Sequence, residues 1–315
     1  MTHSHKTQTD LPKLAQTIFF RRLPETYFTR APIANALQLI ETMLILISME
    51  RFNSALVTAL SAAESLLTRD DSDGVNRDKR SLRNKLHDFE KEQPGRLKEF
   101  VDTSTEQLGA NVNQCLDIRN TVTHSGYSHA HDDASAEQIL DVAWPLIERL
   151  YSCVFGEELR DALVVEVAQQ FEHAVKIRSA SRDGDHAAVA LRPLAWTVQQ
   201  YISPNFAPGF LWDLNGEQID FSDLIHKRTD AFREVAHFDD EILPCPICDE
   251  ISFSASFSFD SPSKPFGLHI KFGACGNCRA RISDTREGRI LGDVLFAHYL
   301  EANEKRIAAE YGLKE

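Results

Sequence analysis

The chain has 315 residues and a formal net charge of −13, and 43% of its residues are hydrophobic. That length exceeds a comfortable single core and that hydrophobic share excludes a disordered chain, so we expect two domains, or two with a third small module. The acidic charge excludes broad electrostatic binding to nucleic acid but leaves a small basic site open. Basic residues do cluster in 77–85 (RDKRSLRNK), which we interpret as a solvated helix face.

The compartment is indicated by the N-terminus and the cysteines. The opening MTHSHKTQTD is polar and lacks the apolar core of a signal peptide. The most apolar run, Ile33–Met49, is interrupted by Asn35, Gln38 and Glu41, which argues against a membrane span. Four of the six cysteines form two CxxC pairs, which in a reducing compartment serve as metal or redox sites before structural disulfides. We therefore expect a cytoplasmic protein with no membrane partner.

The first half of the chain predicts helices. Residues 1–30 are expected to form an N-terminal arm with aromatic anchors. Apolar residues recur every three to four positions over 31–68, which predicts two helices meeting near 51–53. Further helices are predicted at about 79–92, from Ser104 to Gly126, and at 135–155. Residues 31–157 are therefore expected to form an all-α bundle.

The second half is mixed. Residues 158–240 form a connecting region with an amphipathic helix over 158–178, a turn at 182–186, a hairpin over 211–221 and a helix over 222–237. Over 251–260 (ISFSASFSFD), strict alternation predicts a strand with one buried face, with 268–272 as its partner and a closing helix over 291–311. The fold class is thus mainly α, with a small β-rich module and C-terminal helix over 241–315.

Two CxxC pairs form the most specific motif: Cys245 with Cys248, and Cys275 with Cys278. Each pair lets two thiolates approach one ion from a tight turn, and four thiolates complete a closed tetrahedral shell with no position for water. The spacing resembles that of zinc ribbons, whose two knuckles are linked by a β-hairpin. We predict one structural zinc ion that is not a catalyst, with a redox pair or an iron–sulfur cluster as the alternatives.

A second motif, RNTVTH over 119–124, lies near the end of a predicted helix. Asn120 and His124 are spaced i, i+4 and share a face, and the long side chain of Arg119 reaches the same space. A guanidinium binds phosphate bidentately, and an imidazole transfers protons near neutral pH. Pairing of two copies about a two-fold axis would supply both an acid and a base. The plainer interpretation is a solvated arginine with a helix-capping histidine.

Residues 31–155 resemble a HEPN domain, a helical-bundle superfamily marked by an Arg-x4–6-His motif with a polar residue after the arginine. Arg119, Asn120 and His124 match that motif, and Glu64 in LSAAESLL resembles an acidic position of an earlier helix. The resemblance implies a metal-independent endoribonuclease that acts on RNA as a homodimer and leaves cyclic-phosphate ends. It also implies a bacterial toxin or phage-defence system, with a regulatory protein partner possible.

The sequence also contains a histidine-rich run that could form a different kind of site. The run His129-Ala-His131-Asp132-Asp133 is similar to the HxHxDH motif of metallo-β-lactamase-like hydrolases, but Ala134 replaces its last histidine. We expect Tyr127, His129 and His131 instead to rim the cleft and bind a base of the RNA. Walker A, GxGxxG, HExxH and GxSxG motifs are missing from the sequence. The alternatives left are a non-catalytic module that binds protein or nucleic acid, and a DNA-binding regulator.

Overall fold

The computed structural model of the protein describes most of the chain: residues 17–68, 80–102, 107–125, 132–180, 187–202, 211–212, 218–219, 241–260, 267–276, 280–282 and 285–313. The predicted turn at 182–186 and helix at 222–237 lie outside these residues.

Two helices occupy the first apolar stretch, as predicted. Helix α1 spans Ala31–Ser48 and α2 spans Phe52–Leu66. The chain turns between them through Glu50, whose φ of 55° lies in the left-handed region. Helix α3 spans Leu82–Glu92 and is capped by the Ser81 hydroxyl, which accepts from the Asn84 amide.

Helix α4 begins later than predicted. It spans Ala110–Ser125 instead of starting at Ser104. The chain before it is extended, because β1 (Val101–Asp102) pairs antiparallel with β2 (Gln107–Leu108). The Gly109 amide also donates to the Phe100 carbonyl at 2.9 Å. Backbone groups of 100–102 therefore bond to 107–109, and these residues do not join the helix.

The remaining helices of the body are α5 (Asp132–Gln138), a π-helical turn (Ile139–Ala143), α6 (Trp144–Phe155), α7 (Leu159–Ala162), α8 (Val165–Ala180), α9 (Ala187–Ala190) and α10 (Arg192–Ile202). The helix predicted over 158–178 is thus interrupted. Phe20 forms a β-bridge with Leu163, and the Val164 amide donates to the Phe19 carbonyl at 2.9 Å. The N-terminal arm therefore interrupts this helix, and its Phe19 and Phe20 are buried at the contact.

Helix α1 packs against α2 and α10, and α10 in turn packs against α8. By length and composition α1 is apolar enough to cross a membrane, contrary to the expectation drawn from Asn35, Gln38 and Glu41. Its apolar face, including Leu37 and Leu44, is fully buried within the bundle. The core helix of a soluble protein passes the same test of length and composition, so this match is weak evidence for a membrane span.

The C-terminal module is a four-stranded antiparallel sheet in the order β5-β6-β7-β8. Its strands are β5 (Glu241–Pro244), β6 (Ile251–Phe259), β7 (Leu268–Cys275) and β8 (Arg281–Ile282). Upstream, β3 (Leu211–Trp212) pairs with β4 (Gln218–Ile219), as the predicted hairpin requires, and its turn lies outside the described residues.

Two helices follow the sheet where one was predicted. Helix α11 spans Arg286–Leu295, capped by the Thr285 hydroxyl, and α12 spans Ala297–Glu310. They cover the aromatic face of β6: the Phe253 and Phe296 rings lie 4.7 Å apart, and Phe257 stacks on Tyr299 at 6.0 Å. The alternating phenylalanines of β6 are therefore core residues of the module.

The module contacts the helical body through α8. Helix α11 packs against α8, and the buried side chain of Gln170 on α8 donates to the Pro246 carbonyl at 3.4 Å. Pro246 lies inside the first CxxC turn, so the body touches the cysteine site directly.

Candidate functional site

Helix α4 positions the three residues of the RNTVTH motif. Val112 and Cys115 are buried and hold one side of α4 against the bundle, where it packs on α2 and α5. Asn120 and His124 are exposed, one turn apart, and His124 lies in the last turn. Arg119 lies partly buried at the border between these two sides. An exposed imidazole and amide therefore share one face, with a guanidinium beside them.

Glu64 on α2 forms an ion pair with Arg119. Its Oε2 lies 3.8 Å from a terminal nitrogen of Arg119, and its Oε1 lies 3.6 Å from Nζ of Lys85 on α3. Lys85 also donates to the Thr68 hydroxyl at 2.8 Å. The Glu64 carboxylate thus pairs with Lys85 of α3 and with Arg119 of α4. The second ion pair restrains the orientation of the Arg119 side chain.

The depth of these groups differs. The side chain of Lys85 is 2% exposed, whereas those of Glu64 and Arg119 are 28% and 29% exposed. A buried ammonium costs free energy unless it is paired and hydrogen-bonded. The Glu64 carboxylate therefore stabilises the buried Lys85 ammonium, and the same carboxylate also contacts Arg119.

The neighbouring thiol contributes no nucleophile. Burial raises the pKa of Cys115 to about 12, although the Arg119 charge lowers it in part. The thiolate form, which is the reactive one, is therefore scarce near neutral pH. The chemistry available on α4 is that of the guanidinium, the amide and the imidazole.

The predicted base-binding residues Tyr127, His129 and His131 lie outside the described residues, as does Gly126. Their role in binding substrate stays a prediction. Helix α5 begins at Asp132, directly after this segment, and packs on α4.

Three cysteines of the C-terminal module, Cys245, Cys248 and Cys275, form a cluster that could hold a metal ion. Their three Sγ atoms lie within 4.8 Å of one another, and the Sγ atoms of Cys248 and Cys275 are 3.6 Å apart. Cys245 and Cys275 are buried, and Cys248 is partly buried. Three thiols converging at this distance can hold one metal ion, and thiolates suit soft or borderline ions such as zinc.

The two CxxC turns are closed in the same way. The Cys245 amide donates to the Glu250 carbonyl at 2.9 Å, and the Cys275 amide donates to the Ala280 carbonyl at 2.9 Å. Each bond spans the same number of residues from the first cysteine of its pair. Cys278 itself lies outside the described residues. In the described residues, the amide of the first cysteine of each pair therefore makes the same hydrogen bond across its turn.

Polar groups also contact the Sγ atoms of Cys245 and Cys275. The Ile247 amide donates to Sγ of Cys245 at 3.4 Å, and the Ser252 hydroxyl lies 3.1 Å from Sγ of Cys275. The Gly276 amide donates to the Ser252 carbonyl at 2.8 Å, which ties the second turn to the start of β6. Amide and hydroxyl donors of this kind stabilise thiolate ligands and fix their orientation.

Sequence reasoning missed Lys85. The segment 77–85 was interpreted as a solvated helix face, and this interpretation is wrong for Lys85, which is buried. The signal was present, because Lys85 follows Leu82 by three residues and precedes Leu86 and Phe89 on the same helical stripe. A lysine inside an apolar stripe requires an anionic partner, and Glu64 is that partner.

Compared with known proteins, the chain matches no family model, no curated protein and no solved structure.

Proposed function

We propose that this protein is a metal-independent endoribonuclease of the HEPN type, with Arg119, Asn120 and His124 at its site. The observation that supports this most directly is the placement of the motif. His124 and Asn120 are exposed on one face of α4, and the Glu64 carboxylate holds the guanidinium of Arg119 beside them. The strong overall acidity favours a narrow RNA substrate, or activation by a partner protein, over general RNA degradation.

The reaction would use the ribose 2′-hydroxyl as the nucleophile. A base removes its proton, the 2′-oxygen bonds to phosphorus, and the bond to the 5′-oxygen breaks as an acid protonates that oxygen. The products are a 2′,3′-cyclic phosphate and a 5′-hydroxyl. In a homodimer, His124 of one protomer would serve as the base and His124 of the other as the acid. Arg119 would bind the scissile phosphate and stabilise its developing charge, and Asn120 would orient the ribose.

A second function has an observation of its own. The contact between Arg119 and Glu64 also satisfies the guanidinium structurally, as expected in a binding protein that has no reaction to perform. In that case α4 and the cysteine module would bind a partner protein or nucleic acid.

We further propose that Cys278 completes the metal centre and that the ion is zinc with a structural role. Four thiolates leave no position for water, so the zinc would stabilise the sheet and take no part in cleavage. The support is the converging set of three Sγ atoms and the matching closure of the two turns.

The test compares RNA cleavage by the wild type and by His124→Ala, on total RNA and on transfer RNA, with excess chelator present. We expect cleavage that survives the chelator and is lost in the variant. Cleavage lost with chelator alone would contradict a metal-independent reaction, provided circular dichroism shows that the chelated protein is still folded. A protein that binds RNA or a partner but cleaves nothing, with equal affinity in His124→Ala, would establish the binding function instead.

A further inference from the structure

One face of the C-terminal sheet is turned away from α11 and α12. Ile242, Ser254, Ala274 and Arg281 are paired in one row across all four strands. Residues directly opposite one another in an antiparallel sheet share a face, and residues two apart on a strand do as well. Phe272, which pairs with Ser256, therefore lies on this face too. We call the surface formed by Ile242, Ser254, Ser256, Phe272, Ala274 and Arg281 the outer face.

The outer face exposes large apolar groups that the opposite face buries. Phe253 and Phe257 of β6 point to the helices and are almost fully buried. In contrast, the side chains of Phe272 and Ile242 are 50% and 45% exposed. Small serine and alanine side chains lie between them, and Ser254 among these is itself buried. Exposed apolar side chains that share one face of a sheet can mark an interaction site.

Cations accompany the exposed ring. Arg281 is exposed within the cross-strand row, and Nζ of Lys271 lies 5.6 Å from the centroid of the Phe272 ring. Lys271 and Arg281 are thus two exposed cations beside this ring in a chain whose overall charge is acidic. The ligand that fits an exposed ring flanked by cations is a base with its phosphate.

We propose that the outer face binds single-stranded RNA, with a base stacked on Phe272 and the backbone phosphates held by Lys271 and Arg281. Stacking tolerates any base and phosphate contacts carry no sequence information, so the face would add affinity without sequence preference. The flexible stem of Lys271 lets its ammonium move from the ring to a phosphate. The choice of RNA over DNA rests on the endoribonuclease proposed above.

The test measures the binding of a fluorescein-labelled oligouridylate by fluorescence anisotropy. The full-length parent carries His124→Ala, so that the probe is not cleaved. Phe272→Ala should weaken binding about tenfold, the effect expected for losing one stacked base. Phe272→Tyr should bind like the parent, because its ring still stacks. Arg281→Ala should weaken binding and lower the salt dependence by about one unit of slope.

The matched control is Met49→Ala. Met49 is an exposed apolar residue at the end of α1 in the helical body, so it does not belong to the outer face. Its removal should leave the affinity unchanged. Equal metal content and circular dichroism across the variants would show that each is folded.

Three results would overturn the proposal. The parent could fail to bind the probe, or Phe272→Ala and Arg281→Ala could bind as tightly as the parent. Phe272→Ala could also reduce the molecular mass in solution with RNA affinity unchanged, which would assign the face to a second copy of the chain. The outcome is separable from the cleavage assay. Phe272-dependent binding without any cleavage would retain the outer face and reject the endoribonuclease, and His124-dependent cleavage without Phe272-dependent binding would do the reverse.

Discussion

At the scale of single residues, Glu64 has two partners at once. Its two carboxylate oxygens face Lys85 and Arg119 separately, so the same group meets a demand of the core and positions a residue of the site. Because the ammonium of Lys85 is buried, the carboxylate is retained for stability whether or not the protein is an enzyme. Function and stability should therefore be separable by changing each partner in turn.

The variant Glu64→Gln should destabilise the protein by about 1–3 kcal/mol, because a buried ammonium loses its anionic partner. The control is Glu99→Gln, whose ion pair with Arg149 at 3.4 Å joins two exposed side chains. Loss of that surface pair should change the free energy of unfolding by less than about 1 kcal/mol. Urea denaturation measures both, and equal effects would show that Lys85 does not depend on Glu64.

A second residue-scale prediction concerns Gly273 on β7. A Cβ at this position would lie 2.6 Å from Cζ of Phe253 and 3.1 Å from the Ser254 carbonyl oxygen. The Phe253 ring would have to shift from its place against Phe296, so Gly273→Ala should destabilise the module by about 1–3 kcal/mol.

Gly292→Ala on α11 is the control for that variant, since its nearest neighbour, Cβ of Ile270, is 3.4 Å away, an ordinary contact. In a helix, alanine in place of glycine should be neutral or slightly stabilising. Thermal unfolding of both variants distinguishes them, and a Gly273→Ala protein as stable as the wild type would contradict the packing described for Phe253.

At the scale of elements, local patterns predicted most of the helices and the central strands. The periodicity over 31–68 predicted α1 and α2, and the alternation over 251–260 predicted β6 and the burial of Phe253 and Phe257. The burial of β6 is less one-sided than predicted, because Ile251 is exposed and Ser252 and Ser254 are buried. The errors came from distant partners. Helix α4 starts later than predicted because β1 (101–102) pairs with β2. The helix predicted over 158–178 is interrupted where Phe20 forms a bridge with Leu163. Such pairings depend on the folded chain and leave little trace in a local window.

The candidate sites also differ in how far the sequence predicts them. The CxxC spacing alone predicted that Cys245, Cys248 and Cys275 lie together, because metal ligands follow characteristic spacings. The contact of Arg119 with Glu64 joins residues of different helices. The family resemblance drew attention to both residues but did not predict that they meet. The outer face could not be predicted in full, since the alternation indicates the buried face of β6 but not which residues of β5, β7 and β8 lie beside its serines.

The cysteine module yields a prediction about metal content. The purified wild type should carry one zinc ion per chain, and Cys248→Ser and Cys278→Ser should each lose it or bind it far more weakly. Cys153→Ser is the control, because Cys153 lies on α6 in the helical body, away from the cluster. Elemental analysis by mass spectrometry decides the matter. Iron with acid-labile sulfide, or full zinc retention in Cys248→Ser, would contradict the zinc proposal.

At the scale of the whole molecule, a helical body carries the RNTVTH motif and a β-rich module carries the cysteines. They meet where α11 packs on α8 and Gln170 donates to Pro246. Helix α1 packs its buried apolar face on α2 and α10, so these helices do not need the metal to bury that face.

Metal removal should therefore unfold the module and leave the body largely intact. With excess chelator, hydrogen exchange should rise over 241–313 and stay slow in α1 and α2, and most of the helical circular dichroism should persist. The same protein kept in zinc is the control. Loss of protection throughout α1 and α2 would show instead that body and module fold as one unit.

The 3′ ends of cleaved RNA test the Arg119–His124 chemistry most directly. Wild-type protein would be incubated with RNA in excess chelator, and the new ends identified by mass spectrometry, beside His124→Ala and the exposed-residue control Met49→Ala. We predict 2′,3′-cyclic phosphates from the wild type and from Met49→Ala, and intact RNA with His124→Ala. Ends bearing a 3′-hydroxyl, or equal cleavage by His124→Ala, would contradict the proposed reaction.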